Sequence, residues 1–358
     1  MNFKSRINLI KTKLRKSNLD AAFFTSRENR RYLSGFTGSD GILMITRYKI
    51  ILLVDSRYID QAKKETKGVK IIGFFPGENY VDSLCRIIKE EKWKRIGFNE
   101  SRVSVKFLNS LKKKVKNVRL VSLGEYPEKM RGVKDKGELK NIRIAIKIAE
   151  KAFKKVVPRV KPGISEKDVQ TELIYRLRKF GSEELPFEPL VASGRRTVFP
   201  HALPSKNRLK RGEMVVIDFG ARFSGYSSDI TRTIVLGKMN EKHKKIFKAL
   251  RQAEEAARKM LRDGVKCKDV DKAVRESLKK EGLDKYFLHG AGHGIGLAVH
   301  EAPKISKSSK DILKKGMVVT IEPGIYIPRF GGVRIEDMYL VLKRRAKKLT
   351  SLPRIVEV

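Results

Sequence analysis

The 358-residue sequence predicts a two-domain α/β (α+β) protein, with an N-terminal α/β domain over residues 1–125 and a pseudo-symmetric second domain over 126–358. Three observations lead to this expectation. The chain is longer than one ordinary domain. Its first part alternates short apolar runs with amphipathic stretches, which is typical of helices packed on a sheet. Its second part repeats one arrangement, an apolar hairpin that carries two acids.

The elements of the N-terminal domain follow from the spacing of its apolar residues. Runs rich in β-branched and aromatic residues predict strands at 21–25, 41–46, 50–54, 96–98 and 118–121. Apolar residues at helical spacing predict helices at 56–63, 87–92 and 104–114. Residues 34–41 are dense in turn-forming residues and predict a loop.

The second domain is predicted to begin with a long helix. Apolar residues recur at helical spacing over 134–157. Ser165 then offers its hydroxyl as a helix cap, with Asp168 in the first turn. We therefore expect two consecutive helices before the first strand of this domain.

The chain is strongly basic, with a formal net charge of +41. The excess is spread evenly, since residues 1–130 carry 29 Lys and Arg against 13 Asp and Glu, and the remainder carries 52 against 27. A nucleic-acid-binding protein more often gathers its charge in a patch or tail. We therefore interpret the charge as background composition and expect no nucleic-acid partner.

Other features narrow the class of protein. No apolar run approaches the ~20 residues of a membrane span, and the basic N-terminal stretch has no apolar core of a secretory signal. We expect a cytoplasmic protein without membrane contact. Cys85 and Cys267 are the only cysteines, which excludes a disulfide scaffold or a multi-cysteine metal site.

Histidine is scarce and unevenly placed. His289, His293 and His300 fall within twelve residues of a segment in which glycine alternates with other residues. Glycine leaves room for another group to approach the backbone. A phosphate-binding loop is the rival interpretation, but no Lys-Ser/Thr pair follows, and imidazoles between glycines favour a metal. His201 lies in a Pro-containing segment, and His243 is interpreted as a surface residue.

Two acidic residues interrupt the first pair of apolar runs. Asp218 follows the run 214–217, Asp229 precedes the run 230–236, and the residues around Ser224 suit a hairpin turn. Folding the strands back about this turn brings the two acids near each other across the ladder. Buried carboxylates so placed repel each other and have raised pKa values unless a cation lies between them.

The same arrangement recurs near the C-terminus. Glu322 ends the run 318–321, Glu336 lies in a second β-like run, and residues 328–331 form the turn between them. Two hairpins with two inward acids each predict two half-domains that face one site. Beside the histidine–glycine segment, this set is typical of a metal centre.

These motifs resemble the pita-bread metallopeptidases, which include aminopeptidase P, prolidase and methionine aminopeptidase. The resemblance spans about 130–358 and includes His-Gly-x-Gly-His-Gly-x-Gly around His293, Ile-Glu-Pro-Gly-Ile-Tyr around Glu322 and Gly-Gly-Val-Arg-Ile-Glu-Asp around Glu336. Segments 31–39 and 52–58 resemble the N-terminal creatinase-like domain of aminopeptidase P and prolidase. Methionine aminopeptidases lack that domain and are disfavoured.

The resemblance implies two divalent metal ions, with Mn²⁺ preferred and Co²⁺, Zn²⁺ or Fe²⁺ as alternatives. It implies that Asp218 chelates one ion, that His293 and Glu322 bind the other, and that Asp229 and Glu336 bridge the pair. Such a metal pair activates water and polarises a carbonyl group. Glu322 is also expected to be catalytic, as the group that moves a proton from the water to the leaving nitrogen.

Further catalytic or substrate-binding residues are implied around the metals: His201, His289, His300, Tyr326 and Arg334. His201 and His300 match the pair that contacts substrate and steadies the reaction intermediate in this family. His289 lines the same loop, and Tyr326 matches a residue near the site. Arg334 matches an arginine that pairs with an acid or orients substrate.

The implied activity is that of an Xaa-Pro aminopeptidase acting on proline-containing peptides, with a homodimer as the expected assembly. The alternative is a prolidase, which cuts only dipeptides and needs a cation for their carboxylate, Lys304 or Arg334. Phe187 and Phe199 are the candidates for an apolar proline pocket, with core packing as the favoured alternative for both. A non-enzymatic nucleic-acid-binding relative is less favoured, because all five metal ligands are present.

Overall fold

A computed structural model describes residues 3–358, and these fall into two compact units divided between Arg131 and Gly132. The predicted boundary at residue 125 precedes helix α6, Tyr126–Gly132. Each unit mixes helices with sheets, so the predicted α/β (α+β) class is confirmed. In the described part of the chain, no helix is both long and apolar enough to cross a membrane.

The first unit has a six-stranded sheet in the order β4-β3-β2-β1-β5-β6. Its strands are β1 Ala21–Phe24, β2 Ile42–Thr46, β3 Ile50–Asp55, β4 Lys70–Phe74, β5 Arg95–Phe98 and β6 Arg119–Ser122. The other helices of this unit are α1 Phe3–Lys16, α2 Arg27–Ser34, α3 Ile59–Glu65, α4 Tyr80–Glu90 and α5 Val105–Lys114. β1 pairs antiparallel with β2 and parallel with β5, and its residues are all buried.

Side-chain caps explain three of the differences between the predicted and the observed helices of this unit. The Asn79 side chain accepts hydrogen bonds from the amides of Val81 and Asp82, so α4 begins well before the predicted 87–92. Asp55 caps a short 3₁₀ turn ahead of α3. Ser26 caps the unpredicted α2, which ends at Gly35 with a φ of 85°. The predicted loop 34–41 therefore begins at the end of a helix.

The second unit carries its helices around two larger sheets. The helices are α7 Lys136–Val156, α8 Glu166–Lys179, α9 Glu241–Met260 and α10 Cys267–Lys279. One sheet has the order β19-β11-β8-β7 and the other the order β13-β12-β14-β17-β18. The strands are β7 Leu190–Ser193, β8 Met214–Phe219, β9 Arg222–Phe223, β10 Tyr226–Ser227, β11 Ile230–Val235, β12 Gly292–Gly294, β13 Glu301–Ile305, β14 Val318–Ile321, β15 Gly324–Ile327, β16 Gly331–Arg334, β17 Asp337–Val341, β18 Ala346–Lys348 and β19 Ile355–Glu357.

Reciprocal hydrogen bonds stabilise the starts of α7 and α8. Asp135 and Glu138 form a capping box at α7, and Ser165 and Asp168 form one at α8. Both predicted helices are therefore confirmed, with α7 shorter by a residue or two at each end.

Two similar hairpins build the centre of this unit. β8 pairs antiparallel with β11 and the small hairpin β9–β10 lies between them in sequence. β14 pairs with β17 in the same way, around the hairpin β15–β16. Asp229 and Glu336 directly precede the second strand of each pair. The predicted pseudo-symmetric hairpins are confirmed, although Asp218 lies within its strand and Glu322 just beyond its own.

His243 corrects one expectation from the sequence. The sequence predicts a surface residue at this position, yet His243 lies on α9 with only 5% of its surface exposed. Its ring centroid is 5.7 Å from that of Phe330, which comes from the turn between β15 and β16. This distant aromatic ring covers the imidazole, so the polar residues next to His243 in sequence do not indicate its burial.

Candidate metal centre

The ends of the two hairpins and β12 bring predicted metal ligands together. Ligand atoms of Asp229, His293 and Glu336 all lie within 4.8 Å of one another. The Nε2 atom of His293 is 3.6 Å from Oδ2 of Asp229 and 3.8 Å from Oε1 of Glu322. Asp218 lies near enough for its charge to raise the pKa values of Asp229 and Glu336. All five predicted ligands therefore surround one site.

Glycines let β12 fit between its two neighbours. A Cβ atom on Gly292 would lie 2.0 Å from the carbonyl oxygen of Thr320, and one on Gly294 would lie 2.2 Å from that of Ala302. The groups that approach these glycines are thus neighbouring strand backbones. His293, between them, has Nδ1 3.1 Å from the carbonyl oxygen of Gly294. If Nδ1 donates to that oxygen, Nε2 is unprotonated and can donate its lone pair to a cation held by the neighbouring carboxylates.

Burial and repulsion dominate the electrostatics of the site. Burial, followed by the charges of Glu336 and Asp218, raises the pKa of Asp229 well above its usual value. Burial and the charge of Glu322 do the same to the pKa of Glu336. Burial raises the pKa of Glu322 to about 7, with Arg334 opposing the shift. Burial also lowers the pKa of His293 to about 3, so its imidazole is neutral at physiological pH.

The donor set fits divalent cations. Oδ1 of Asp218 and Oε1 of Glu336 are buried and have no hydrogen-bond partner among the described residues. Buried carboxylate oxygens without partners are costly unless a cation coordinates them. Four carboxylates and one neutral imidazole are suitable ligands for Mn²⁺, Co²⁺, Fe²⁺ or Zn²⁺.

A chain of hydrogen bonds leads from His289 to the metal ligands. The Nε2 atom of His289 is 3.1 Å from the hydroxyl of Tyr326, which accepts from Nη1 of Arg334 at 2.9 Å. Arg334 also donates from Nη2 to Oδ2 of Asp218 at 2.6 Å. Tyr326 and Arg334 are buried, and burial lowers the pKa of His289 to about 4. The structure thus connects three of the predicted catalytic or substrate-binding residues to Asp218.

The other predicted residues border the site. The rings of His300 and His293 are 4.3 Å apart between centroids. His201 is exposed, and it lies close enough for its charge to contribute to the lowered pKa values of His289 and His300. Phe199 is 62% exposed, so the core-packing alternative is wrong for this residue.

Phe187 lies beside the β8 side of the site. It is half-buried, and its Cε1 lies 3.1 Å from the position that a Cβ on Gly220 would take. Gly220 is two residues beyond Asp218. Phe187 therefore stays a candidate for an apolar wall near the metal ligands.

Thr231 also contributes a hydroxyl group to the site, and it is not among the residues predicted from the sequence. It lies opposite Asp218 in the β8–β11 ladder and donates from its hydroxyl to Oε2 of Glu336 at 2.8 Å. The same hydroxyl accepts from Nε of Arg334 at 3.1 Å. A signal was present, because Asp229 and Thr231 are two residues apart and therefore face the same side of the strand.

Comparison with known proteins identifies the class. The model for metallopeptidase family M24 matches residues 140–343, and the model for the creatinase/prolidase N-terminal domain matches residues 6–133. The chain therefore belongs to metallopeptidase family M24. The predicted creatinase-like and pita-bread domains and the predicted enzyme class are confirmed at this level.

Similar proteins cover almost the whole chain. An Xaa-Pro dipeptidase from Pyrococcus horikoshii is 36% identical over 95% of both chains. The solved structure of an Xaa-Pro dipeptidase from Bacillus anthracis is 32% identical, covers 100% of both chains and has a TM-score of 0.95. That of an X-Pro aminopeptidase from Thermotoga maritima is 36% identical, covers 95% of this chain and 98% of its own, and has a TM-score of 0.88. Both kinds of Xaa-Pro peptidase are thus among its relatives.

Proposed function

We propose that this protein hydrolyses the peptide bond before proline and releases the N-terminal residue of Xaa-Pro peptides. The observation that carries the proposal is the cluster of Asp229, His293 and Glu336 within 4.8 Å, with Asp218 and Glu322 beside it. The M24 family and the names of its relatives support the substrate class. The bond before proline is a tertiary amide without an N–H, so a dedicated site for it is chemically reasonable.

The ligand roles are part of the proposal. Asp218 would chelate one divalent ion, His293 and Glu322 the other, and Asp229 and Glu336 would bridge both. When bound, the ions supply Lewis acidity for the attacking water and the scissile carbonyl. Mn²⁺ stays the preferred metal, and a homodimer stays the expected assembly.

The proton-transfer role falls to Glu322. Its carboxylate is about one-fifth exposed, so it can reach a substrate. Oε2 lies 3.9 Å from Nδ1 of His289, and Oε1 faces His293. A carboxylate between the water and the leaving group can accept a proton from the first and pass it to the second. We assign this transfer, to the proline nitrogen, to Glu322.

The remaining polar residues would bind and orient the peptide. His201 and His300 are exposed at the border of the site and would contact the substrate. His289 and Tyr326 form a hydrogen-bonded pair beside Glu322. Arg334 is committed to Asp218, Tyr326 and Thr231, so we propose that it orients these groups and does not bind a substrate carboxylate.

Substrate length separates two candidate activities. The sequence motifs favour an aminopeptidase that accepts longer peptides. Lys304 favours a dipeptidase, because it pairs with His293 in the β12–β13 ladder, where opposite residues share a face. Lys304 is exposed, and its ammonium group makes no ion pair within residues 3–358. Its ammonium group would receive the free carboxylate of an Xaa-Pro dipeptide.

Matched peptides test the proposal. We would measure release of the N-terminal residue from Xaa-Pro, Xaa-Pro-Yaa and Xaa-Ala, with the Lys304→Met variant beside the wild type. Cleavage of both proline peptides supports an aminopeptidase. Cleavage of the dipeptide alone, weakened in Lys304→Met, supports a dipeptidase. Equal cleavage of Xaa-Ala would contradict proline specificity.

A further inference from the structure

Glu166, at the start of α8, is a buried carboxylate outside the metal centre. Its side chain is fully buried, yet it belongs to the first turn of a helix, where acidic residues are usually solvated. Burying a charge is unfavourable unless hydrogen bonds compensate for it. The contacts of this carboxylate therefore indicate what it does.

Both ends of one loop bind to Glu166. Oε1 accepts from the amide and the hydroxyl of Ser193, at 2.7 and 2.9 Å. Oε2 accepts from the amide and the hydroxyl of Ser205, at 2.9 and 2.7 Å. We call residues 194–204, between these two serines, the His201 loop. One carboxylate thus holds the two ends of this loop together, with a different oxygen for each end.

A residue inside the His201 loop, Arg196, also binds the carboxylate of Glu166. Arg196 donates from Nε to Oε2 of Glu166 at 3.1 Å and from Nη2 to the carbonyl oxygen of Leu203 at 2.6 Å. The loop therefore closes on itself through an ion pair with Glu166. Charge-assisted hydrogen bonds of this kind are among the stronger ones in proteins.

The other side of the His201 loop contacts the metal centre. The hydroxyl of Thr197 accepts from the amide of Gly332 at 2.7 Å. The carbonyl oxygen of Pro200 accepts from Nη1 of Arg334 at 3.0 Å, and Arg334 also binds Asp218. Two exposed side chains of the loop, Phe199 and His201, are then presented at the border of the site.

We infer that Glu166 is a positioning residue that holds the His201 loop in its substrate-binding conformation. This inference rests on the proposed function, since it assigns the loop to substrate binding. Without the carboxylate, a fraction of molecules would have an open loop. Apparent affinity for the substrate falls in proportion to the fraction of closed molecules, while bound substrate would restore the closed loop. Loss of the Glu166 carboxylate is therefore expected to raise KM and to leave kcat nearly unchanged.

Glu166→Gln is the most specific test. Glutamine has the same shape as glutamate, but its side-chain amide has one acceptor oxygen where the carboxylate has two. Its NH₂ group would face the donors of either Ser193 or Ser205 and free that end of the loop. We expect amide hydrogen exchange in 194–204 and KM for an Xaa-Pro peptide each to rise about tenfold, in line with the loss of hydrogen bonds to a charged group. Calorimetric Mn²⁺ affinity should stay within about twofold of wild type, since no metal ligand is touched.

The matched control is Glu172→Gln on the same helix, where the carboxylate binds Arg176 and lies away from the loop. The inference is overturned if Glu166→Gln has the loop exchange and KM of this control. Should Glu166→Gln fail to fold, Ser205→Ala must show the same changes at smaller size, and no change would contradict the inference. If the wild type cleaves no Xaa-Pro peptide, the proposed function fails, while hydrogen exchange still tests the role of Glu166.

Discussion

Arg334 donates from Nη2 to Oδ2 of Asp218 at 2.6 Å, with both side chains largely buried. This contact satisfies one oxygen of a proposed metal ligand and leaves the other, Oδ1, without a partner. Arg334 also reaches Thr231, whose hydroxyl donates to Glu336. One guanidinium group therefore links a carboxylate of the first hairpin to one of the second.

Replacing Arg334 by Met should lower the free energy of unfolding, and the decrease should be larger for the metal-free protein than for the metal-bound protein. The change leaves buried acids without their cation, and breaking a buried pair in this way costs about 3–5 kcal/mol. Divalent metal should recover part of the loss, because it supplies positive charge to the same carboxylates. Denaturant unfolding with and without Mn²⁺ measures both effects.

The control for this variant is Arg176→Met, which removes an ion pair with Glu172 on α8. The free energy of unfolding of Arg176→Met should be only slightly below that of the wild type, and the difference should be the same with and without metal. An Arg334→Met protein that metal does not recover would contradict the electrostatic role assigned to Arg334.

Thr231→Val should weaken metal binding without changing the shape of the core. Valine removes the hydroxyl that donates to Glu336 and accepts from Arg334. Leaving these buried groups unsatisfied costs about 1–3 kcal/mol. We expect lower Mn²⁺ affinity by calorimetry together with a lower melting temperature.

Thr233→Val is the comparison for Thr231→Val. Its hydroxyl contacts only the backbone of Arg334, donating to the carbonyl oxygen and accepting from the amide. It should lower the melting temperature but leave Mn²⁺ affinity near that of wild type. Equal losses of affinity in the two variants would argue against a specific role for Thr231.

Metal binding should release protons near neutral pH. The carboxyls of Asp229 and Glu336 have raised pKa values, and that of Glu322 is raised to about 7. Protons therefore compete with the cation, and affinity should fall as pH falls below about 7. Calorimetry at pH 6.5 in two buffers of different ionisation enthalpy counts the protons. A count indistinguishable from zero would contradict these shifts.

The metal-free protein should respond to pH through the same groups. The pKa of Glu336 in the folded state is above its ordinary value, so the folded state binds this proton more tightly than the unfolded state. Its contribution to stability is complete below the unfolded pKa and is lost as pH rises through the folded pKa. Glu336→Gln removes this dependence, so its melting temperature should exceed that of wild type increasingly from pH 5 to pH 8. A constant difference would contradict the raised pKa.

The position of the acids could be predicted from the sequence because local patterns determine it. Asp218 and Asp229 flank continuous apolar runs, and the turn around Ser224 fixes which strands pair. Register then brings acids together in both hairpins. The glycines around His293 likewise predict that another group approaches the backbone closely. In the structure, these groups are the backbones of neighbouring strands.

Contacts between distant segments could not be predicted in this way. His243 is buried by Phe330, a residue far along the chain, and its sequence neighbours give no sign of it. Glu166 resembles an ordinary acid in the first turn of a helix, and its partners Ser193 and Ser205 become visible only when the loop is folded. Local periodicity reports which face of an element is apolar, and tertiary packing decides what that face contacts.

Metal-dependent hydrolysis is the most direct test of the account. Protein stripped of metal should not release the N-terminal residue from an Xaa-Pro peptide, and Mn²⁺ should restore the release. Asp229→Ala should stay inactive at any Mn²⁺ concentration, because it loses a proposed bridging ligand, whereas Asp263→Ala, at an exposed position, should match the wild type. Hydrolysis by the stripped protein, or by Asp229→Ala at the wild-type rate, would contradict a metallopeptidase site built on Asp229, His293 and Glu336.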